Sequence, residues 1–356
     1  MRTLIRPTGF VDSPFGHDGK VARLAGGLNW FASVELLRVE GGRRVASELL
    51  PVEGIESRFD DTMAADWASL TGARAPLVLG SRTVRLDQPQ VMGIVNVTPD
   101  SFSDGGIFDS PEAAAEAGSD MAAEGAAIID VGGESTRPGA KPVWEGDEAE
   151  RVVQVIKQLA ASGAAVSIDT RKASVMEAAL GAGARLVNDV SALTFDPRSV
   201  EVIAAAGVPV VLMHHQGAPE SMQDAPRYGD VLVEVYLWLE ERIAATEAAG
   251  IDRAKILVDP GIGFGKSVAH NLELMNGLAL FHGLGCGIVL GASRKRTIGA
   301  LSNEAPADRR LGGSLALALK AADQGAQLIR AHDVFETVQA LRVWRGLRDQ
   351  ALTPRP

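Results

Sequence analysis

"VMGIVNVTPDSFSDGG", residues 91–106, passes from an apolar run into a long loop of small polar and acidic residues. Strands usually leave a sheet through a short connection. This one leaves through Asn96, a Thr-Pro pair, Asp100, Ser103, Asp104 and two glycines. The fold turns on whether other apolar runs end in the same way, and they do. Seven more follow: "AAIIDVGG", "AAVSID", "ARLVNDV", "VPVVLMH", "KILVDPG", "GIVLGAS" and "AQLIRAH". Between them lie Ala- and Leu-rich amphipathic stretches, which predict helices over 111–124, 147–161, 172–182, 198–206, 229–249, 270–282, 306–324 and 333–347. Short apolar runs alternating with helical periods are the pattern of βα units on a parallel sheet. Eight units over about 260 residues predict an α/β fold of the TIM (β/α)8 barrel type.

Each run acquires a polar residue where it ends: Asn96, Asp130, Asp169, Asn188, His214, Asp259, Ser293 and Arg330. In a barrel of this type those ends converge on one face, where the active site is built. A polar strand terminator explains any one position well. It explains all of them together poorly.

The remainder of the 356-residue chain narrows the class. It is 46% hydrophobic and 22% charged, which fits a globular enzyme and argues against extended disorder. A net charge of −10 argues against broad nucleic-acid binding or adhesion to an anionic membrane, both of which need a basic face. Any anionic ligand must meet a local basic cluster. Cys286 is the single cysteine, so an intrachain disulfide is ruled out and a reducing, cytoplasmic setting is expected. The opening "MRTLIRPTGFVDSPF" lacks the apolar core of a secretory segment, and no apolar run approaches a membrane span.

Residues 1–87 do not share the βα rhythm and read as an N-terminal extension to a catalytic barrel over 88–350. "FASVELLRVEGGRRVASELLPV" predicts a β-hairpin about Glu40-Gly41-Gly42, and "DTMAADWASLTGA" a short helix. The extension shows no chemical constellation, and a packing or regulatory role is expected of it.

Two nucleotide-binding signatures fail on inspection. "PGIGFGKS" has Pro260 where a P-loop needs its first glycine, and "GLGCGIVLG" has Ile288 where a dinucleotide fingerprint needs its third. Other motifs occur together and in order: "NVTPDSFSDGG" at 96–106, "GGESTRPGA" at 132–140, "IDTRK" at 168–172, "NDVSA" at 188–192, "MHHQGAPESMQ" at 213–223, "DPGIGFGK" at 259–266, "SRK" at 293–295 and "IRAHD" at 329–333. Over about 91–345 this set closely resembles the dihydropteroate synthases, pterin-binding TIM barrels of the folate pathway and targets of sulfonamides.

The resemblance implies a reaction in which 6-hydroxymethyl-7,8-dihydropterin pyrophosphate and p-aminobenzoate give 7,8-dihydropteroate and pyrophosphate. It assigns the pterin to Asp169, Asn188, Met213, Asp259 and Lys295. An amino-pyrimidine edge needs a carboxylate to accept parallel N–H bonds and an amide that both donates and accepts, which these side chains supply. Asn96, Thr136, Arg137, Arg330 and His332 are implied for the pyrophosphate, with Asn96 as the protein ligand of a Mg2+ that the diphosphate largely coordinates itself. Phe102, Pro138, Phe264, Lys295 and Arg296 are implied for p-aminobenzoate. Asp104, Arg137, Asp169 and Lys295 are implied as catalytic, Asp104 by stabilising a cationic pterin intermediate. The loops after Asn96 and Gly133 match two that close over the site and exclude water.

The chain departs from many relatives at His215, where they carry Met, and at Arg296, where they carry Ser. The pair His214-His215 suggests a metal site, but no accompanying ligand pattern supports one, and a structural or pterin-lining role is expected. A homodimer built on barrel helices is implied as well. Two other functions compete: a pterin-binding methyltransferase, which has no use for the diphosphate motifs "NVTPDSF", "SRK" and "IRAHD", and a barrel without catalysis that serves as a binding partner, in which degenerate loops would be expected.

Overall fold

The computed structural model describes residues 2–97, 110–135, 142–217, 222 and 225–353. The N-terminal portion forms strands β1 (Arg2–Val11), β2 (Ala22–Arg23), β3 (Trp30–Glu40) and β4 (Arg43–Pro51), helix α1 (Asp61–Thr71), and a short hairpin of β5 (Leu77–Leu79) and β6 (Arg82–Val84). β3 pairs antiparallel with β1 on one side and with β2 and β4 on the other, the β3–β4 turn falling at Gly41-Gly42. β1 has no counterpart in the sequence reading, because Pro7 and Gly9 argue against a strand. As an edge strand it tolerates both.

Eight strands then close a parallel barrel: β7 (Gln90–Asn96), β8 (Ile128–Gly132), β9 (Val166–Asp169), β10 (Leu186–Asp189), β11 (Val210–Met213), β12 (Ile256–Asp259), β13 (Gly287–Leu290) and β14 (Leu328–Ala331), with β14 returning to β7. They are almost wholly buried on both faces, which is why they read as continuous rather than alternating apolar runs. The surrounding helices are α2 (Pro111–Glu124), α3 (Glu145–Ala161), α4 (Ala173–Ala182), α5 (Ser199–Ala206), α6 (Val231–Ala248), α7 (Val268–Asn276), α8 (Arg296–Leu301), α9 (Leu311–Asp323) and α10 (Val334–Ala351). Local chemistry fixes their starts. Ser110 and Asp230 accept the N–H groups of Ala113 and Val233 at α2 and α6, and Ser267 with His270 forms a capping box at α7.

The helix expected over 270–282 is divided. α7 stops at Gly277, where a Cβ would stand 2.5 Å from Leu232 Cδ2, and Leu278–Leu284 continues as a 3-10 helix. The close packing of α6 leaves room there for glycine alone.

Leu77, Leu79, Val84 and Leu86 pack against Met92, Ile128, Leu186, Val211, Leu257, Val289 and Leu328, the early residues of the strands, and so plug the barrel's lower end. The opposite end is left as the mouth. The β1–β4 sheet has a separate core with α1, centred on Ile5, Leu24, Phe31, Val34, Met63 and Leu70, which reaches the barrel at Ala279. No helix among the described residues is long and apolar enough to cross a membrane.

Candidate active site

The strand register sets the mouth. Asn96 pairs with Gly132, Gly132 with Asp169, and Asp169 with Asn188, so three of the expected side chains occupy one level across four adjacent strands. On the far side Met213 pairs with Asp259. One level deeper, Asp130 is fully buried and accepts from Asn188 Nδ2 at 3.0 Å.

Arg330 binds these carboxylates together. Its Nε donates to Asp130 Oδ2 at 2.6 Å and its Nη2 to Asp169 Oδ2 at 2.7 Å. Arg330, expected at the leaving pyrophosphate, thus engages two of its donors, Nε and Nη2, at the floor of the pocket. Each carboxylate keeps one buried oxygen, Asp130 Oδ1 and Asp169 Oδ1, with no hydrogen-bond partner. Buried acceptors are rarely left so. Burial raises the Asp169 carboxyl to about 7, against the pull of Arg330 and with the push of Asp130. Asp130 joins this cluster although the sequence gives it no assigned role, its place at a strand end being the available signal.

Asp259 sits opposite. Its Oδ1 accepts the N–H of Gly261 at 2.7 Å, and burial raises its pKa while Lys295 opposes the rise. Lys295 precedes α8, donates to the carbonyl of Ile262 and lies 4.5 Å from the centre of the Phe264 ring. Desolvation brings its ammonium down to about 8, with Asp259 acting the other way. The turn that aims Lys295 inward is strained: Arg294 holds a left-handed φ of 56°. It is fixed by an ion pair with Asp333 and by Arg310, which donates to its carbonyl at 2.9 Å. Arg296, the first residue of α8, is exposed.

The loop 260–266 packs tightly over the end of β11. Gly261, at φ 70°, lies so close to the carbonyl of His214 that a Cβ would overlap it, and Gly265 stands likewise against Gln216. Lys266, buried beneath, donates to His214 Nδ1 at 2.9 Å and to the Phe264 carbonyl at 3.0 Å. Desolvation lowers its ammonium to about 7 and pushes the His214 imidazole down to about 2, so His214 is neutral and accepts from the lysine. The histidine is set edge-on to Trp238 at 4.9 Å. In the sequence Lys266 closes the motif "DPGIGFGK" and a failed P-loop, with no role of its own. The apolar, glycine-rich context of that lysine was the available signal.

At the end of β14, His332 Nδ1 lies 3.0 Å from Ser293 Oγ. Phe102, Asp104, Thr136, Arg137 and Pro138 lie outside the described residues. The base of the second loop is described and is clamped. Lys172 Nζ donates to Glu134 Oε1 at 3.1 Å, to the Val143 carbonyl at 2.7 Å and to Glu148 Oε2 at 2.6 Å. Burial works against the Glu134 carboxylate, but the Val143 N–H and Arg171 outweigh it and lower its pKa.

A single hard oxygen donor, Asn96 Oδ1, stands across from Gly132, where an added Cβ would come within 3.7 Å of it. That suits one position on a Mg2+ whose other ligands are diphosphate and water. Among the described residues no group of three His, Cys, Asp or Glu is placed to hold a metal by itself.

Comparison with known proteins agrees with this geometry. The sequence profile of the family "Pterin binding enzyme" matches residues 92–332. The dihydropteroate synthase of Escherichia coli (strain K12) is 49% identical over 259 residues, 72% of this chain and 91% of that protein. Xanthomonas albilineans dihydropteroate synthase with 4-aminobenzoic acid superposes with a TM-score of 0.73 at 48% identity, covering 79% of this chain and 100% of that one. The same enzyme in complex with 7,8-dihydropteroate gives 0.71 at 46% identity, covering 78% and 100%. The chain belongs to the pterin binding enzyme family, among its dihydropteroate synthases.

Proposed function

We propose that the mouth of this barrel joins 6-hydroxymethyl-7,8-dihydropterin pyrophosphate to p-aminobenzoate, releasing pyrophosphate and 7,8-dihydropteroate. The observation that carries this is the pair of buried, unpartnered oxygens on Asp130 and Asp169 beside Asn188. A ligand that satisfies them must bring N–H donors on a flat edge, as the amino-pyrimidine side of a pterin does. Asp169, Asn188, Met213, Asp259 and Lys295 hold the pterin, and Asp130 joins them through Asn188 and Arg330.

The amine nitrogen of p-aminobenzoate attacks the exocyclic methylene of the pterin. The carbon–oxygen bond to the diphosphate breaks, the leaving group takes the electron pair, and the nitrogen sheds one proton. Phe264, Lys295 and Arg296, with Phe102 and Pro138, hold the amine and its carboxylate. Asn96, Thr136, Arg137, Arg330 and His332 gather donors and positive charge at the leaving-group end, and Asp104 stabilises the charge that develops on the methylene. Asn96 would hold Mg2+, which supplies charge neutralisation for the departing diphosphate. The carbonyls of Ile262 and Phe264 anchor two lysines and so orient the loop that faces the ring of the amine.

The working unit is a homodimer joined through α10, whose outer side exposes Phe335, Val343 and Leu347 along one stripe. The acidic balance and the single buried thiol fit a cytoplasmic enzyme that binds neither nucleic acid nor membrane. The function is tested by mixing the protein with Mg2+ and both substrates and following pyrophosphate and dihydropteroate together. Equal release of both is expected, and absence of either overturns the reading.

A further inference from the structure

The family profile begins at residue 92, and the sequence before it carries no chemical constellation. The structure nevertheless brings that segment to the barrel mouth. Beyond the β3–β4 turn, Arg44 Nε donates to Asp230 Oδ2 at 2.6 Å. The other oxygen of Asp230 caps α6 by accepting the Val233 N–H at 3.1 Å. The same guanidinium lies 3.4 Å from Glu273 on α7 and 3.9 Å from Glu35 on β3, so it ties the extension to two barrel helices. A Cβ on Gly229 would stand 3.2 Å from Arg43 Nε, which shows how closely β4 lies along this backbone.

From there a chain of contacts leads into the pocket. Gly229 and Asp230 are held by Glu234 Oε1, at 2.5 and 2.9 Å. Tyr228, next in line, donates its hydroxyl to the Gly265 carbonyl at 3.0 Å and sets its ring edge-on to His270 at 5.0 Å. Gly265 is pressed against Gln216, and its neighbour Phe264 carries the Lys295 ammonium on its face.

We propose that the N-terminal extension belongs to the catalytic apparatus: Arg44 is a positioning residue that, through Asp230 and Tyr228, fixes the Phe264 segment against which p-aminobenzoate binds. The proposal rests on the amine pocket assigned above. A brace of this kind acts first on the amine, because the carboxylate floor of Asp130 and Asp169 with Asn188 is held separately by Arg330.

The full-length chain supplies both test and control. Arg44→Met removes the brace. Arg2→Met removes a second tie between the extension and α6, at Glu240, farther along the helix from the mouth. Arg44→Met is expected to raise the KM for p-aminobenzoate by about three- to ten-fold, the equivalent of one lost charged contact, with the KM for the pterin substrate and kcat each within about two-fold. Arg44→Lys, which keeps the charge but not the fork, should fall between Arg44→Met and wild type. Arg2→Met should lower the melting temperature without moving either KM. A wild-type KM for p-aminobenzoate in Arg44→Met overturns the proposal, and so does an equal rise in Arg2→Met. If Arg44→Met does not fold, an unchanged KM in Arg44→Lys overturns it as well. A wild-type protein that makes no dihydropteroate would overturn the assigned reaction instead.

Discussion

Asp169 makes pterin binding depend on pH in a direction that can be worked out. Two parallel N–H bonds can be accepted only by the carboxylate, yet burial raises this group from 3.8 to about 7 in the free protein. The pterin therefore binds the deprotonated form, and apparent affinity is reduced by the fraction that still carries a proton. For a pKa of about 7, lowering the pH from about 7.5 to about 6 should weaken binding about eight-fold, or about 1.3 kcal/mol. Near pH 7 about half a proton should be released for each ligand bound. A pterin lacking the diphosphate keeps phosphate ionisation out of the result. Calorimetry in buffers of different ionisation enthalpy reads affinity and proton release together. Arg330→Met removes the charge that favours the carboxylate, so the midpoint should move above 7. An affinity that is flat across this range, or proton uptake on binding, would refute the argument.

Gly261→Ala should lower stability by at least about 2 kcal/mol in denaturant unfolding, since a left-handed φ and an overlap with the His214 carbonyl both oppose a Cβ. A variant as stable as wild type would show that the loop can move aside. Asn96→Ala should weaken Mg2+-dependent binding of the pterin pyrophosphate by about ten-fold and leave a diphosphate-free pterin unaffected, and equal losses for both would place Asn96 on the pterin. Arg296→Ala should raise the KM for p-aminobenzoate about two- to three-fold at low salt, and the effect should fade as salt is added, because the side chain is exposed. An unchanged KM at low salt would mean that Arg296 points away from the amine's carboxylate.

The barrel was legible in the sequence because each strand is a compact apolar run closed by a polar residue, a pattern that depends on neighbours along the chain. What depends on partners far away was not. Asp130 resembles any other strand terminator until Arg330, 200 positions later, is seen to donate to it. For the same reason the strand-end placing of Arg330 says nothing of the two carboxylates, Asp130 and Asp169, to which its forked donors turn. Lys266 was hidden because a lysine in a glycine-rich loop suggests phosphate, and only the fold shows it beneath Phe264 and His214. In the extension the hairpin about Gly41-Gly42 followed from alternation, but its reach to Asp230 depends on how the sheet docks, which no local pattern encodes.

The seam that closes the barrel has a consequence for how the chain is made. On the edge away from β8, Gln90–Gly93 in β7 pair with Leu328–Ala331 of β14, roughly 240 residues later. During synthesis β7 waits beside β8 with one row of backbone donors and acceptors open, a template for unwanted pairing until nearly the whole chain has left the ribosome. The cylinder is complete only when its last stave arrives. Truncation within α10, which packs on β7 beside this seam, should therefore deplete native protein through aggregation of the nascent chain while Arg330 and His332 are still present.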